Sequence, residues 1–250
     1  GIPMNHLFYE VFHNMPRQGP GTDDCTLQAL ETLKPFLPAE PVALDMGCGT
    51  GASTLALAPR CGHITAVDLD GAMLDMLQQK ARNAGLSARI TTVQASMDEP
   101  DFPDGSFDLV WSEGAIYNMG FEAGLKRWRQ LLKPQACLAV TEACWLTPEQ
   151  PAEIVRFWEQ EYPAIMPVAG NLAVAASCGY RVVDHFTLPT SAWNENFYHH
   201  MRSSMDAMLA KHPDDPAATQ LYRMLETEIR MYETYHDHYG YVFFLLQRTD

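Results

Sequence analysis

The sequence predicts an α/β protein in which strands and helices alternate around a mostly parallel sheet. A short apolar run at 42–44 is typical of a buried parallel strand. Three glycines follow at positions 47, 49 and 51, and a helical pattern then runs from Ala52 to Leu57. A second apolar run, from Ile64, ends in the carboxylate of Asp68. A strand, a glycine-rich turn and a helix in this order present backbone N–H groups to a ligand, so the turn predicts a nucleotide-like cofactor.

The glycine-rich turn is compatible with two kinds of cofactor. Gly47, Gly49 and Ala52 satisfy the spacing G-x-G-x-x-A, and Asp68 lies about 20 residues further on, as dinucleotide-binding proteins require. Asp45, two residues before the first glycine, would crowd a pyrophosphate. The same carboxylate suits a ligand that carries an ammonium and a sulfonium group. Position 45 therefore favours a sulfonium cofactor, and a NAD-type oxidoreductase remains the alternative.

The following elements continue the alternation of strands and helices. The sequence predicts a strand at 63–68, a helix at 71–83 that Asp70 caps and Gly85 stops, a strand at 88–95, a turn at 103–106 and a strand at 107–112.

Two stretches of this region resemble the class I S-adenosylmethionine-dependent methyltransferases. Asp45, Gly47, Gly49 and Gly51 match their motif D-x-G-x-G-x-G, and Phe-Pro-Asp-Gly-Ser-Phe-Asp-Leu-Val at 102–110 closely matches a second segment of that family. The resemblance implies S-adenosylmethionine as cofactor, with the ribose hydroxyls on Asp68. The cofactor-binding residues that it implies are Gln18, Gly19, Asp45, Gly47, Gly49, Asp68, Leu69, Ser96, Met97 and Glu113.

The adenine contact departs from the family pattern. Many members carry an aspartate after the third strand, and the corresponding segment here is Ala95-Ser96-Met97-Asp98. The Ser96 hydroxyl can accept a hydrogen bond and Met97 can pack on the adenine face. Asp98 is the alternative acceptor, and the sequence does not decide between them.

A helical leader precedes the first strand. The sequence predicts a helix at 4–15, a break at 16–21 and a second helix from Thr22, as N-cap, to Lys34. This leader resembles the N-terminal cover that many small-molecule methyltransferases fold over the cofactor. Residues 1–38 are therefore expected to form a helical cover within a single domain of 250 residues, with 41–145 as the cofactor-binding core. A surface cap without ligand contact is the alternative.

The C-terminal half completes the predicted sheet. The sequence predicts helices at 121–132, 148–162 and 168–178, and strands at 137–143, 180–188 and 240–248. The resemblance implies a Rossmann-like seven-stranded sheet of order 3-2-1-4-5-7-6, with the seventh strand antiparallel. Between the last two strands lies a helical insertion at 190–238, broken at His212-Pro213.

Ligands of open α/β sheets bind at the carboxyl ends of the strands, which places several side chains at the expected site. Glu113 and Tyr117 are the candidate catalytic residues. The candidate substrate residues are Tyr117, Asn118, Glu142 and Trp145. Carboxylates and aromatic rings together favour a cationic or amine-bearing acceptor. An oxygen, sulfur or carbon nucleophile is the alternative.

Composition narrows the class of partner. The formal charge of −14 argues against a nucleic-acid backbone, because phosphates are bound through clustered Lys and Arg. No apolar run reaches the roughly 20 residues of a membrane span. Six cysteines without metal-ligand spacing indicate reduced thiols and a cytoplasmic location, and no metal site is expected. We therefore expect methyl transfer to a small molecule, with cofactor binding without catalysis as a further alternative and the oligomeric state open.

Overall fold

The computed structural model describes residues 1–250, and a twisted sheet forms its centre. The strands are β1 (Val42–Met46), β2 (His63–Asp68), β3 (Ile90–Gln94), β4 (Phe107–Ser112), β5 (Leu132–Trp145), β6 (Met166–Pro167), β7 (Tyr180–Thr187) and β8 (Tyr239–Arg248). Their order is β3-β2-β1-β4-β5-β8-β7, and β8 runs antiparallel to both of its neighbours. The two-residue β6 pairs with β5 outside this path. The predicted sheet order is confirmed, with one short additional strand.

Ten α-helices cover both faces of the sheet. They are α1 (Met4–His13), α2 (Asp23–Leu33), α3 (Ala52–Leu57), α4 (Gly71–Asn83), α5 (Phe121–Arg129), α6 (Ala152–Glu161), α7 (Val168–Ser177), α8 (Thr190–Trp193), α9 (His199–Lys211) and α10 (Pro216–Tyr235). The Thr22 hydroxyl caps α2 and the Asp70 carboxylate caps α4, as the sequence predicts. None of these helices combines the length and the apolar composition needed to cross a bilayer.

Strand alternation divides most of the core into two large apolar clusters. Trp111 and Phe243 point to one face of the sheet, whereas their neighbours Val110 and Phe244 point to the other. The helices of the leader and of the insertion pack on the first face. Val11 of α1 is fully buried there, and the hydroxyl of Ser204 on α9 donates to its carbonyl oxygen at 2.6 Å. The leader and the insertion therefore pack against each other on this face of the sheet.

The predicted boundary between α5 and β5 is wrong. The helix ends at Arg129 rather than at 132, and β5 runs from Leu132 to Trp145 rather than from 137 to 143. Leu132 already pairs with Phe107, and the register then shifts, so residues 133–136 bulge out of the ladder. Proline is tolerated at such a bulge because it has no N–H to donate there.

Other boundaries differ by smaller amounts. β3 spans 90–94 rather than 88–95, because 87–89 form a 3₁₀ turn in front of it. α6 begins at Ala152 rather than at 148, since Pro151 stands at its N-cap. The predicted break at His212-Pro213 is confirmed, with α9 ending at Lys211. A π-helical turn at 194–198 joins α8 to α9 and was not predicted.

Candidate functional site

A cavity of about 700 Å³ lies at the carboxyl ends of β1 to β4, beneath the leader. We call it the first cavity. Its volume is within the range typical of small-molecule and cofactor sites. The segments that line it are α1 and the loop after it, the glycine-rich turn, and the ends of β2, β3 and β4.

The backbone N–H groups of the glycine-rich turn all donate hydrogen bonds to acceptors within the protein. The N–H groups of Gly47 and Cys48 donate to the Val67 carbonyl oxygen, and that of Gly51 donates to Cys48. Those of Gly49 and Thr50 donate to the side chains of Asp68 and Gln18, each at 2.9 Å. All five N–H groups at 47–51 are therefore engaged, which leaves none for a pyrophosphate. This arrangement disfavours the dinucleotide alternative.

Close packing around the turn explains two of its glycines. Gly47 and Gly49 have φ of 71° and 56°, in the left-handed region that favours glycine. A Cβ at Gly47 would lie 2.5 Å from the Cβ of Ala115, and one at Gly49 would overlap the Gln18 amide oxygen. The turn can therefore lie this close to β4 and to the leader only with glycine at both positions.

Asp68 presents a fixed carboxylate to the first cavity. One of its oxygens accepts from the Gly49 N–H and the other from the Asp70 N–H, both at 2.9 Å. Each oxygen retains a second acceptor site. The next residue, Leu69, is exposed and also lines the cavity. Such a doubly anchored carboxylate is suited to accept from two adjacent hydroxyl groups.

Asp45 does not line the first cavity, in contrast to the predicted direct contact with the cofactor. Its side chain is fully buried, and one oxygen accepts from the hydroxyls of Ser53 and Thr54 at 2.8 and 2.7 Å. The other oxygen has no partner. Burial raises the pKa of Asp45 to about 7, against the lowering effect of the two hydroxyls. Asp45 thus ties the start of α3 to β1 behind the turn.

The segment after β3 lines the cavity, and it brings both alternative adenine contacts, Ser96 and Asp98, to the wall. Ser96, Met97 and Asp98 all line it. The Ser96 hydroxyl accepts from the Asp98 N–H at 3.2 Å, so its own proton remains available to a ligand. The Met97 carbonyl oxygen accepts from the Trp128 indole at 3.1 Å, which fixes this segment against α5. Both candidate adenine contacts remain available.

Glu113 joins β4 to the leader. One carboxylate oxygen accepts from Thr26 at 2.6 Å and from the indole of Trp111 at 2.8 Å. The other lies 3.6 Å from the Arg17 guanidinium and has no hydrogen bond. Burial raises the pKa of Glu113, and Arg17 with both hydrogen bonds opposes that rise. A carboxylate held by these three groups suits the anchoring of a cation better than the transfer of a proton.

The leader contributes further residues that the sequence did not single out individually. Gln18 and Gly19 line the first cavity as predicted, and Arg17 joins them. The Gln18 amide nitrogen donates to two carbonyl oxygens of the leader while its oxygen accepts from Thr50, so it bridges the leader and the turn. Phe8 and Tyr9 of α1 also line the cavity, although both rings are partly exposed. No sequence motif marks these two rings.

A second, smaller cavity of about 260 Å³ adjoins the first. The two share part of their walls, including Gln18, Gly114 and Tyr117. The remaining walls come from β5, α6, the insertion and β8. Most of these side chains are aromatic: Phe157, Trp158, Tyr162, Trp193, Phe197, Tyr198, Tyr239 and Tyr241.

Two carboxylates line this second cavity, of which Glu142 is buried and Glu228 is partly buried. Glu142 of β5 accepts from the Tyr162 hydroxyl at 2.6 Å, and Glu228 of α10 accepts from the Tyr198 hydroxyl at 2.9 Å. Burial raises the pKa of each carboxylate to about 7, although the tyrosine hydroxyls oppose the rise. Glu142 was expected near the site from its position on β5. Glu228 was not, because nothing in its local sequence distinguishes it from the solvated glutamates of the same helix.

Tyr241 lies at the junction of the two cavities. Its hydroxyl is 3.9 Å from the position of a Cβ on Gly114. Burial raises its pKa well above the ordinary value, and the charges of Glu142 and Glu228 act in the same direction. The phenol therefore stays protonated at neutral pH and is available as a neutral hydrogen-bond donor.

The other predicted substrate residues are placed differently. Tyr117 lines both cavities, and burial raises its pKa, which disfavours a role as a base at neutral pH. Asn118 lines only the first cavity. Trp145 lines neither of them, and its role as a substrate residue stays a prediction. Because β5 continues to Trp145, this residue pairs with Tyr239 on β8, and the two rings pack edge to face at 6.5 Å.

Comparisons with known proteins agree with this architecture. Residues 43–135 match the family profile described as "Methyltransferase domain". A dimethylglycine N-methyltransferase of Parasynechococcus marenigrum is 33% identical over 121 residues, which are 48% of this chain and 43% of that protein. A ubiquinone/menaquinone biosynthesis C-methyltransferase of Vibrio vulnificus is 31% identical over 103 residues, 40% of each chain. The chain thus spans less than half the length of each of these curated relatives.

The structural similarity extends over the whole chain. A SAM-dependent methyltransferase of Geobacter sulfurreducens, solved with S-adenosyl-L-homocysteine, superimposes with a TM-score of 0.83 over 98% of both chains. The two sequences are 19% identical. The leader and the insertion therefore belong to the same overall fold as the matched domain.

Proposed function

We propose that this chain, which belongs to the class I S-adenosylmethionine-dependent methyltransferases, transfers a methyl group from that cofactor to a nitrogen atom of a small-molecule amine. In this proposal the first cavity holds the cofactor and the second cavity holds the acceptor. The observation that carries it is the pair of adjoining cavities, with Gly114 and Tyr117 in both walls. A donor in one and an acceptor in the other would meet at that junction.

The residues of the first cavity fit S-adenosylmethionine. Asp68 would accept from the two ribose hydroxyls, and Ser96 or Asp98 would contact the adenine. The Glu113 carboxylate, which lines this cavity, would offer its negative charge to the ammonium group. Because the N–H groups at 47–51 are already engaged, the turn fits a cofactor without phosphate groups. The leader, within residues 1–38, would cover the bound cofactor.

The cofactor supplies a methyl carbon that its sulfonium already activates. The protein must then align an acceptor and leave that acceptor a free lone pair. An ammonium group has no lone pair until it loses a proton, so amine acceptors require a base. Glu142, with its pKa near 7 and one oxygen not held by Tyr162, is suited to take that proton. This assigns the base to β5 rather than to Glu113 or Tyr117.

The second cavity supports nitrogen over the other nucleophiles. Aromatic faces and carboxylates both attract cations, through cation–π contact and charge pairing. Glu142 and Glu228 supply the carboxylates, and no Lys, Arg or His lines this cavity. The dimethylglycine N-methyltransferase among the similar proteins acts on nitrogen, which agrees with this choice. A phenolate, thiolate or carboxylate acceptor would bring a negative charge beside these two glutamates.

An activity screen tests the proposal. The purified chain is titrated with S-adenosylmethionine, S-adenosylhomocysteine and NAD in a calorimeter, and is then assayed with amines, phenols, thiols and carboxylates. We expect binding of the two adenosyl ligands, no binding of NAD, and turnover of amines. Glu142→Gln should reduce turnover by about 100-fold or more while the affinity for the cofactor is retained. Methylation of phenols or carboxylates with amines untouched would refute the nitrogen assignment, and cofactor binding without any turnover would refute catalysis.

A further inference from the structure

We infer that the second cavity selects amines with an uncharged, apolar body and excludes amines that also carry a carboxylate or phosphate group. This inference rests on the proposed function and specifies the acceptor class of the same site. It separates this chain from proteins that act on amines such as dimethylglycine, which carries a carboxylate.

The charge of the cavity wall carries the exclusion. The charged residues in that wall are three glutamates: Glu142 and Glu228 inside, and the exposed Glu161 at the rim. Arg17 lines only the first cavity, where it pairs with Asp23 and Glu113. An anionic group on the acceptor would therefore be desolvated beside like charges and without a positive partner.

Neutral donors in the wall do not change this conclusion. The indole N–H groups of Trp158 and Trp193 have no hydrogen-bond partner, but both nitrogen atoms are inaccessible. The Tyr162 and Tyr198 hydroxyls already donate to the two glutamates. The hydroxyls of Tyr117, Thr141, Tyr239 and Tyr241 also line this cavity and donate to no group within the chain. These donors are neutral, and without a cation they do not offset the burial of a full negative charge beside the glutamates.

The aromatic part of the wall carries the preference for an apolar body. Trp193 stacks on Tyr232 with ring centroids 4.4 Å apart and packs edge to face on Tyr241 at 4.9 Å. Trp158 packs edge to face on Tyr239 at 5.1 Å. These mutual contacts hold the rings in place before a ligand binds, which lowers the entropy cost of binding. Ring faces of this kind favour hydrocarbon groups and the cationic nitrogen beside them.

The two carboxylates of the cavity can have different roles. Glu142 lies on the sheet at the end of β5 and is the candidate base, as argued above. Glu228 lies on α10 of the insertion, and one of its oxygens is free of hydrogen bonds within the chain. We assign Glu228 as the partner of the cationic nitrogen during binding. The volume of about 260 Å³ limits the acceptor to a compact molecule.

Matched pairs of ligands test the inference without any mutation. Phenethylamine differs from phenylalanine, and isoamylamine from leucine, only by the absence of the carboxylate. Binding of all four is measured by calorimetry to the protein saturated with S-adenosylhomocysteine. We expect each amine to bind about 100-fold more tightly than the amino acid paired with it. If neither amine binds more tightly than its amino acid, including the case in which none of the four binds, the inference is overturned.

A pair of variants tests the role of Glu228. Glu228→Gln preserves the acceptor for the Tyr198 hydroxyl but removes the charge, so the affinity for phenethylamine should fall about tenfold or more. The affinity for S-adenosylmethionine should not change. Glu226→Gln, two residues away on the same helix and in neither cavity wall, is the matched control. Equal affinities of both variants for phenethylamine would overturn the assignment of Glu228.

These measurements separate the inference from the proposed function. Ligand selectivity in the complex with S-adenosylhomocysteine is an equilibrium property and does not require turnover. Methylation of phenylalanine as efficiently as of phenethylamine would overturn the inference and leave the proposed function intact. Selective binding of the amines without turnover of any amine would overturn the proposed function instead.

Discussion

The two cavities of this protein meet at Gly114 and Tyr117 but are assembled in different ways. The first is built from the ends of consecutive parallel strands and the turns that follow them. The second is built from β5, α6, the insertion and β8, so Glu142 and Glu228 in its wall lie 86 positions apart. Local chain geometry therefore determines most of the first cavity, whereas tertiary packing determines the second.

The carboxylates of the two cavities also differ in how many partners they have within the protein. In the first, Asp68 is anchored by two backbone N–H groups and Glu113 by Arg17 and two side-chain donors. In the second, Glu142 and Glu228 each have one tyrosine partner and no cation. The first cavity is thus electrostatically compensated within the protein. The second gains its compensation only when a cationic ligand binds.

The largest effect is expected at Asp68. If the first cavity holds the cofactor as proposed, Asp68→Ala removes two charge-assisted hydrogen bonds to it, each contributing roughly 1.5–3 kcal/mol before compensation. We expect calorimetry to show an affinity for S-adenosylmethionine reduced by about 100-fold or more. Binding of phenethylamine to the second cavity should be much less affected, because Asp68 lines only the first. Asp75→Ala, an exposed carboxylate on α4, is the matched control. An unchanged affinity in a folded Asp68→Ala protein would contradict the assignment of the first cavity.

A smaller effect is expected in the pH dependence of stability. Glu142 and Glu228 have pKa values of about 7 in the folded chain, above the ordinary value of a glutamate. Between that ordinary value and pH 7 the folded state holds protons that the unfolded state has released. Stability therefore falls as pH rises through this window, on the order of 3 kcal/mol for each group.

Urea unfolding across about pH 5 to 7.5 measures this slope. The double variant Glu142→Gln, Glu228→Gln should flatten it, leaving mainly the contribution of Asp45, whose pKa is also about 7. Glu226→Gln should leave the slope unchanged. A slope of the same size in the double variant and the wild type would contradict the raised pKa values of these carboxylates. Bound phenethylamine should also flatten the slope in the wild type, because a cation lowers both pKa values.

The same contrast explains what the sequence alone predicts. The order of the sheet, the glycine-rich turn and Asp68 follow from neighbouring residues and from the rule that ligands bind at strand ends. Glu228 and Tyr241 do not, because their positions depend on how α10 and β8 pack against β5. The apolar pair Leu131-Leu132 fits helical periodicity, so the predicted end of α5 is three residues late. The hydrogen bonds of Asp45 are not predicted either, because its partners, the hydroxyls of Ser53 and Thr54, have no recognisable spacing.

The smallest effect on catalysis is expected at Trp145, which the sequence predicts as a substrate residue but which lines neither cavity. A substrate contact at this position would make KM for an amine acceptor rise when the indole is reduced. The structure instead places the ring against Tyr239, at the end of the pairing between β5 and β8. Trp145→Phe should therefore lower the free energy of unfolding by about 1 kcal/mol while kcat and KM stay close to the wild-type values. Tyr241→Phe is the informative partner, since it removes only a hydroxyl at the junction of the cavities and should change KM or kcat without a comparable loss of stability. A rise in KM for Trp145→Phe with stability unchanged would return this residue to the acceptor site and show that the second cavity extends beyond the walls described above.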